Sequence, residues 1–436
     1  MAVDFSILKD RSVLSLLSAR SISLLGNAMA PVALAFTILQ MPGGSATDLG
    51  LVLTARLAAQ VVFVLIGGVI ADRLPKHRVM VGADIVAGLA QATVATLVIA
   101  EHATPLSLAF LAVVSGAAAA VFEPASRSVM PQLISRDLLQ AANALLQLSM
   151  RGGSIIGAAI AGVLVALIGS GPTLAVDAAS FLVSAVLLSG LRLRSTAPGA
   201  SGPSLLVQLR DGWREFIARQ WVWGMVSQLC FVNVLLAGGF YVLGPVVAKE
   251  SLGGAPAWGV VLTAQALGFV VGSTMASRVH ARYPLRLAAL LTMGFPLPLL
   301  LLAVHAPVAA IAVLAFAAGA CIDVYEVLLD TALQQHVPEE MLARVMSYES
   351  VGSFAFVPLG LAIAGPVSAS VGTGQTLTGA ALLIMIAGPV VLLLPSVRGL
   401  RGEEPTKADT PEVPAEVHRP SPVRQESGDA DIPGAQ

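Results

Sequence analysis

Long apolar runs separated by short polar segments dominate this chain. A run of about 20 apolar residues is long enough to cross a bilayer as a helix. The pattern predicts an all-α membrane protein with twelve transmembrane helices, six before the polar segment 195–212 and six after it. The approximate ranges are 16–39, 49–71, 79–100, 106–126, 140–168, 173–191, 222–247, 257–277, 285–304, 307–329, 342–369 and 376–394.

The two groups of six repeat one another at a constant offset of 203 residues. Glu123 corresponds to Glu326, and three glycines near the end of one apolar run recur in another: Gly157, Gly162 and Gly169 match Gly360, Gly365 and Gly372. A constant offset indicates a duplicated unit. An even number of helices per unit gives both units the same orientation, as in transporters built from parallel repeats.

The basic residues predict how the chain is oriented. With the N-terminus in the cytoplasm, 22 of the 25 Lys and Arg residues are assigned to the termini or to inner loops, including Lys9, Arg11 and Arg20 at the N-terminal end. Lys249 is the one cation in the outer loops, and two arginines lie within spans. Because cytoplasmic loops are enriched in Lys and Arg, both termini are expected to be cytoplasmic.

Composition narrows the classes of function. The mean hydropathy is +0.83 and only 12% of residues are charged, against about 25% in soluble domains. No lysine follows a glycine, so a phosphate-binding loop is absent, and the six histidines lack metalloprotease spacing. Cys230 and Cys321 both fall inside predicted helices and suggest neither a disulfide nor a metal site. We expect no cofactor and no metal, with an ion gradient supplying the energy.

The domain organisation follows from the same pattern. We expect an N-terminal six-helix bundle at 1–194, a cytoplasmic linker at 195–220 and a C-terminal bundle at 221–395. Residues 396–436 are rich in Pro, Glu, Asp and Arg and almost lack aromatic residues, which predicts a disordered cytoplasmic tail. No polar segment is long enough to hold a nucleotide-binding or signalling domain.

A signature-like segment follows the second span, with five residues in a recognisable spacing: Gly68, Asp72, Arg73, Lys76 and Arg78. It resembles the loop between helices 2 and 3 of the major facilitator superfamily, with Pro75 in place of the second glycine. The resemblance implies that this loop holds the cytoplasmic helix ends together in the outward-facing state. It also implies that Asp72 meets the N-terminal dipole of helix 11, with Arg73 as its partner charge.

Other segments are similar to one branch of that superfamily, the macrolide-efflux and enterobactin-exporter type. They are Phe122-Glu123-Pro124-Ala125, Met130-Pro131-Gln132-Leu133, Ala142-Asn143-Ala144-Leu145, the stretch from Asp177 to Phe181, and Gln335-His336-Val337-Pro338. The glycines of the fifth span resemble the antiporter motif of the wider drug:proton group. Close packing between helices explains the same glycines equally well.

Four ionisable residues fall within or near the ends of spans. A charge at bilayer depth is costly and is therefore a functional candidate. Arg56 either extends towards the outer membrane surface or contacts an anionic substrate group, and Arg151 takes part in either a structural ion pair or a substrate- or proton-linked role. Asp84 and Asp177 lie nearer helix ends, and a packing or capping role is expected for both.

The fourth and tenth spans carry a gate-like pattern. Asp323, Glu326 and Asp330 are spaced i, i+3, i+7 and share one helical face. The resemblance implies that helices 1, 4, 7 and 10 line a central cavity. The twofold relation would then bring Glu123 and Arg127 of the fourth span towards Glu326 and Asp330, with an Arg127–Asp330 pair closing the cytoplasmic mouth. The alternative is a set of solvated, charged helix ends.

Asp323 is the candidate for a protonatable carboxylate deeper in the cavity. Tyr325, Glu326, Asn27 and Asn233 are candidate polar groups beside it, and Tyr348 and Glu349 are expected near the inner gate.

The sequence predicts a secondary active exporter of small amphipathic molecules (drug, antibiotic or siderophore-like) that works by proton-coupled alternating access. An importer or facilitator with the same fold and a non-transporting membrane sensor are the alternatives. An enzyme is not expected, because no catalytic constellation is present. We expect a monomer in the cell membrane whose partners are a small-molecule substrate and the lipid bilayer, without nucleic acid.

Overall fold

The computed structural model describes residues 11–127, 129, 133, 139–191, 205–276, 278–279 and 281–402. The predictions for the first ten residues, for most of the linker before residue 205 and for the tail after residue 402 lie outside this part. The described chain is helical: Arg11–Gln40 (α1), Ala46–Arg73 (α2), Lys76–Ile99 (α3), Pro105–Arg127 (α4), Leu139–Ile168 (α5), Ser170–Ser189 (α6), Leu205–Ala218 (α7), Gln220–Leu236 (α8), Ala255–Ala276 (α9), Pro284–Leu291 (α10), Leu297–Ala303 (α11), Val308–His336 (α12), Glu339–Phe354 (α13), Val357–Val371 (α14), Thr373–Val391 (α15) and Pro395–Gly399 (α16).

The predicted all-α membrane architecture is confirmed at this level. Within the described residues, 11 helices are long and apolar enough to cross a membrane, and every predicted range overlaps helical structure. The fifth predicted range corresponds to α5, where the shorter apolar segment Gly152–Ile168 lies. The count of twelve and the orientation of the termini stay predictions.

Local sequence accounts for where α2 begins. The Ser45 hydroxyl accepts a hydrogen bond from the Asp48 backbone N–H, and the Asp48 carboxylate accepts one from the Ser45 N–H, so a capping box starts α2.

The seventh predicted span is not regular: after α8 the chain continues through π-helical turns at Ala237–Leu243 and Ala248–Leu252. Such turns often mark functional regions of helices.

Helix packing in the first half is repeated in the second. In the first half α2 packs on α4, and α6 packs on both α1 and α3. In the second half α9 packs on α12, and α15 packs on both α8 and α11. Between the halves, α5 contacts α9 and α2 contacts α14, which are equivalent pairs under exchange of the halves.

The glycines at the 203-residue offset occupy equivalent contacts. A Cβ at Gly157 would lie 2.7 Å from a carbonyl oxygen of α1, and a Cβ at Gly360 would meet a carbonyl oxygen of α8. A Cβ at Gly162 would lie 2.7 Å from a carbonyl oxygen of α9, and a Cβ at Gly365 would likewise lie against the backbone of α2. These glycines therefore let helix backbones approach closely, both within a half and between halves.

Contacts between the halves gather at the end of the molecule that carries the turns at 41–45 and 253–254, called here the 41–45 end. A Cβ at Gly50 would meet the Leu361 carbonyl oxygen, and the Thr54 hydroxyl donates to the Pro358 carbonyl oxygen at 3.1 Å. The Lys249 ammonium group donates to the carbonyl oxygen of Leu39. The two halves are thus held together at this end.

The helix α7 lies between the two halves in the sequence and packs against α13. Phe216 and Trp213 stack at 5.7 Å between ring centroids, and Phe216 lies 5.9 Å from the Tyr348 ring. Tyr348, predicted near the inner gate, is therefore part of an aromatic cluster that attaches α7 to α13.

Candidate functional site

Three connected cavities run through the interior. The N-half pocket has a volume of about 340 Å³, the middle cavity about 420 Å³ and the C-half pocket about 450 Å³. Asn27, Arg56 and Gln60 line both the N-half pocket and the middle cavity. Seven residues line both the middle cavity and the C-half pocket: Ser154, Ala237, Tyr241, Gln265, Ala266, Phe269 and Val357.

The N-half pocket is polar and is built by five helices. Its charged side chains come from α1, α2, α3, α4 and α6: Arg20, Arg56, Asp84, Glu123 and Asp177. The Arg20 guanidinium lies 3.5 Å from the Glu123 carboxylate and 5.2 Å from the centre of the Phe122 ring. The Ser184 hydroxyl donates to the Asp84 carboxylate at 2.6 Å.

Arg20 corrects one sequence prediction. The sequence analysis groups it with the cytoplasmic cations of the N-terminal end, but it lies inside α1 and is only 6% exposed. Asp84 and Asp177, expected to have packing or capping roles, are 2% and 1% exposed and line the pocket. All three fall inside the predicted ranges 16–39, 79–100 and 173–191, so a search for ionisable residues within spans finds them in the sequence.

Arg56 connects the N-half pocket to the middle cavity. Its Nη2 donates to Asn27 Oδ1 at 2.7 Å, and it attracts the Asp177 carboxylate electrostatically. The side chain thus reaches inwards to α1, and Asp48 is engaged with Ser45 instead. Arg56 therefore points into the interior in this structure, and its contact with an anionic substrate group stays a prediction.

The middle cavity is mainly apolar and lies between the halves. Aliphatic and aromatic side chains from α1, α2, α5, α9 and α14 form most of its wall, with Trp258, Tyr241 and Phe269 as the aromatic members. Gln265, which the sequence reasoning did not single out, is buried there and also borders the C-half pocket. The surface suits an amphipathic molecule.

The C-half pocket contains three of the predicted polar residues. Asp323, Glu326 and Asn233 line it together, and Asn233 Nδ2 donates to the Ser353 carbonyl oxygen at 3.1 Å. The shared helical face of Asp323 and Glu326 therefore points into a cavity. Asp330 lies one turn further along α12 and is exposed.

Tyr325 and Glu123 are placed differently from their predictions. Tyr325 is 0% exposed and packs edge-on against Phe295, with 5.8 Å between ring centroids, so it belongs to the core of the second half. Two residues along a helix turn the side chain by about 200°, which carries Tyr325 away from the face of Asp323. Glu123, predicted at a gate between the halves, forms its ion pair with Arg20 in its own half.

Five of the predicted residues are described only by the helix in which they lie. Gly68, Asp72 and Arg73 fall in the last turns of α2, Arg127 ends α4, and Arg151 lies in α5, but their side chains lie outside the described part of the chain. Lys76 begins α3, and Arg78 lines a largely aliphatic groove between α2, α3 and α4.

The comparisons with known proteins agree with this architecture. The model of a family described as transmembrane secretion effectors, within the major facilitator superfamily, matches residues 3–423. The chain belongs to this family. It is a multi-pass membrane transporter rather than an enzyme, and the resemblance seen in the signature loop and its branch is confirmed.

Curated relatives within the family are efflux proteins. The chain is 28% identical over 397 residues to the multidrug efflux pump Tap of Mycolicibacterium fortuitum, covering 86% of this chain and 93% of the relative. It is 26% identical over 378 residues to the enterobactin exporter EntS of Escherichia coli O81 (strain ED1a), covering 86% of this chain and 90% of the relative.

Solved structures share the fold at low identity. The nucleoside transporter NupG matches with a TM-score of 0.71 and 13% identity, covering 87% of this chain and 98% of its own. A bacterial homologue of the lysosomal transporter Spinster, in an inward-facing and unoccupied conformation, matches with a TM-score of 0.64 and 14% identity, covering 90% of this chain and 98% of its own.

Proposed function

We propose that the protein exports small amphipathic molecules from the cell by secondary active transport. The observation that carries this proposal is the continuous cavity with an apolar middle and charged ends, within a family whose curated relatives include a multidrug pump and a siderophore exporter. An apolar wall binds the hydrophobic part of a substrate, and the charged groups at either end orient its polar part.

The transport cycle is alternating access between two parallel six-helix bundles, residues 1–194 and 221–395, with both termini in the cytoplasm. Twelve membrane-spanning helices follow when α5 is counted with the other spans. The close glycine contacts at the 41–45 end, which is the outer end in this orientation, support an inward-facing conformation. Rocking the bundles about the middle cavity would open the outer end and close the inner one.

The inner gate is proposed to use the signature loop and the ends of α4 and α12. Gly68, Asp72, Arg73, Lys76 and Arg78 would hold the cytoplasmic helix ends together, and Arg127 would pair with Asp330 in the outward-facing state. In the C-half pocket, Asp323 and Glu326 are proposed to bind a polar group of the substrate or a coupling proton. Arg151 is kept as a candidate for the same site.

The energy source in this proposal is the proton gradient, without a cofactor. We place the protein in the cell membrane as a monomer, with a small-molecule substrate and lipid as its partners and no nucleic acid. Import is the second candidate, because this fold does not set the direction of transport.

The test is expression in an efflux-deficient bacterium. Cells carrying the protein are expected to tolerate higher concentrations of some members of an antibiotic panel or to secrete more of a catecholate siderophore, and a protonophore should abolish the gain. The variant Asp323→Asn, inserted normally in the membrane, should lose this gain in tolerance or secretion. Unchanged susceptibility and secretion across the panel would argue against export, and increased sensitivity would favour import.

A further inference from the structure

The N-half pocket contains an unequal number of opposite charges. Three carboxylates, from Asp84, Glu123 and Asp177, share it with two guanidinium groups, from Arg20 and Arg56. The described residues of α5, which also contacts α6, place no charged side chain in this pocket, and the side chain of Arg151 on that helix lies outside the described part of the chain. With all five of these described groups ionised, their charges sum to one net negative charge, which is unfavourable in a protein interior.

The three carboxylates differ in how they are compensated. Glu123 has the Arg20 guanidinium at 3.5 Å, and Asp84 accepts the Ser184 hydroxyl at 2.6 Å. Asp177 is 1% exposed, and its Oδ1 has no hydrogen-bond partner among the described residues. The Ser180 hydroxyl donates to the backbone carbonyl of Asp177, and Arg56 directs Nη2 to Asn27. Asp177 is therefore the carboxylate that gains most from a proton.

We propose that the N-half pocket holds one proton on Asp177, and that Arg56 transmits the presence of this proton to the substrate cavity. The proposal rests on the proposed proton-coupled export and adds a site in the first half, separate from Asp323. The proton arrives from solvent, converts the Asp177 carboxylate to a carboxylic acid, and returns to solvent when the acid ionises.

Arg56 makes the link because it borders both the N-half pocket and the middle cavity. When Asp177 is ionised, it offsets the positive charge of Arg56. When Asp177 carries the proton, Arg56 faces the middle cavity as an uncompensated cation and repels a positively charged substrate. Proton uptake thus promotes release of a cationic substrate, and antiport requires this exchange of proton for substrate. The substrate class that fits this link is an amphipathic cation.

The first test needs no substrate. Infrared difference spectra of the purified full-length protein, recorded between high and low pH, are expected to contain the carbonyl band of a buried protonated carboxyl. Asp177→Asn should lose this band, and the matched variant Asp84→Asn, which removes the other buried aspartate of the pocket, should keep it. Loss of the band in Asp84→Asn alone would overturn the assignment. If Asp177→Asn does not fold, Asp177→Glu decides: a band shifted in frequency supports the site and an unshifted band overturns it.

The second test measures the link through Arg56. Binding of the lipophilic cations ethidium and tetraphenylphosphonium to the purified protein should weaken by about tenfold at the pH where the infrared band is present. Arg56→Gln should remove this dependence while the band stays. Equal binding of both cations at every pH would overturn the proposed cation class.

Failure of the proton site and failure of the export proposal are distinguishable. A protein that displays the Asp177 band but exports no member of the panel would contradict export and support the site. A strain with Asp177→Asn that keeps full, protonophore-sensitive resistance would support export and overturn the coupling role of Asp177.

Discussion

At the scale of single residues, Arg20 illustrates how a buried charge stabilises its surroundings. Arg20→Met removes the cation from beside Glu123 and Asp84. Because the Glu123 side chain is 36% exposed, water replaces part of the interaction, and a loss of about 2 kcal/mol in unfolding free energy is expected. The measurement is the thermal unfolding midpoint of the purified protein in detergent.

Two variants make the Arg20 prediction specific. Arg214→Met, on the exposed side of α7, should leave the midpoint unchanged. The double variant Arg20→Met with Glu123→Gln should recover part of the loss, because the carboxylate left without its cation is removed as well. An Arg20→Met midpoint equal to that of the unaltered protein would contradict a structural role for this ion pair.

Residue roles were the part of the site that the sequence predicted least well. The i, i+3 spacing placed Asp323 and Glu326 on one face, and both line the same pocket. Asp177 was assigned to a helix end because its span was predicted to begin at 173, whereas α6 begins at Ser170. A shift of three residues moves a side chain about 4.5 Å deeper along a helix. Hydropathy does not define boundaries to that precision.

At the scale of helices, α7 is held to α13 by aromatic packing. Phe216→Ala should loosen this attachment, because Phe216 contacts both Trp213 and Tyr348 and is buried. Loss of a buried aromatic side chain costs about 3 kcal/mol. Trypsin is then expected to cleave after Arg210 and Arg214 at least about tenfold faster in inside-out vesicles, measured by mass spectrometry of the fragments.

Ile217→Ala is the matched control for this prediction. Ile217 lies one residue further along α7, is 49% exposed and is outside the aromatic cluster. Equal cleavage rates for the two variants would mean that the cluster does not hold the helix.

Helices themselves were predictable, because apolar run length is set by bilayer thickness and is visible in the sequence. Their irregularities were not. Hydropathy contains no sign of the π-helical turns at Ala237–Leu243, nor of the break between α10 and α11, which coincides with Gly294, Pro296 and Pro298. The helix α7 was included in a linker, since its 14 residues are too short to cross a bilayer.

At the scale of the whole molecule, the closed 41–45 end depends on the absence of a side chain at Gly50. Gly50→Val would bring a side chain against the Leu361 carbonyl oxygen and push α2 away from α14. The distance between spin labels at Gln40→Cys and Glu250→Cys, measured by electron–electron double resonance, should become longer and broader. Gly82→Val is the control, because a Cβ at Gly82 meets nothing within 4 Å; an unchanged distribution in Gly50→Val would contradict closure by this contact.

The opposite end is the place to test the proposed gate. Arg127→Glu and Asp330→Arg should each impair export in the bacterial assay, since each puts like charges together in the outward-facing state. The double variant, Arg127→Glu with Asp330→Arg, should partly restore export because it brings opposite charges together again. Two impaired single variants without rescue in the double variant would favour the alternative of solvated helix ends.

The glycine contacts at the 41–45 end have a consequence for ionic strength. Backbone surfaces in direct contact attract by dispersion, which salt does not screen, whereas attraction between charges at a water-exposed mouth weakens as the Debye length falls from about 10 Å at 0.1 M salt. Raising the salt concentration should therefore weaken closure of the charged end and leave the glycine contact unaffected. In this protein, dissolved ions alone would favour the conformation in which Gly50 touches Leu361.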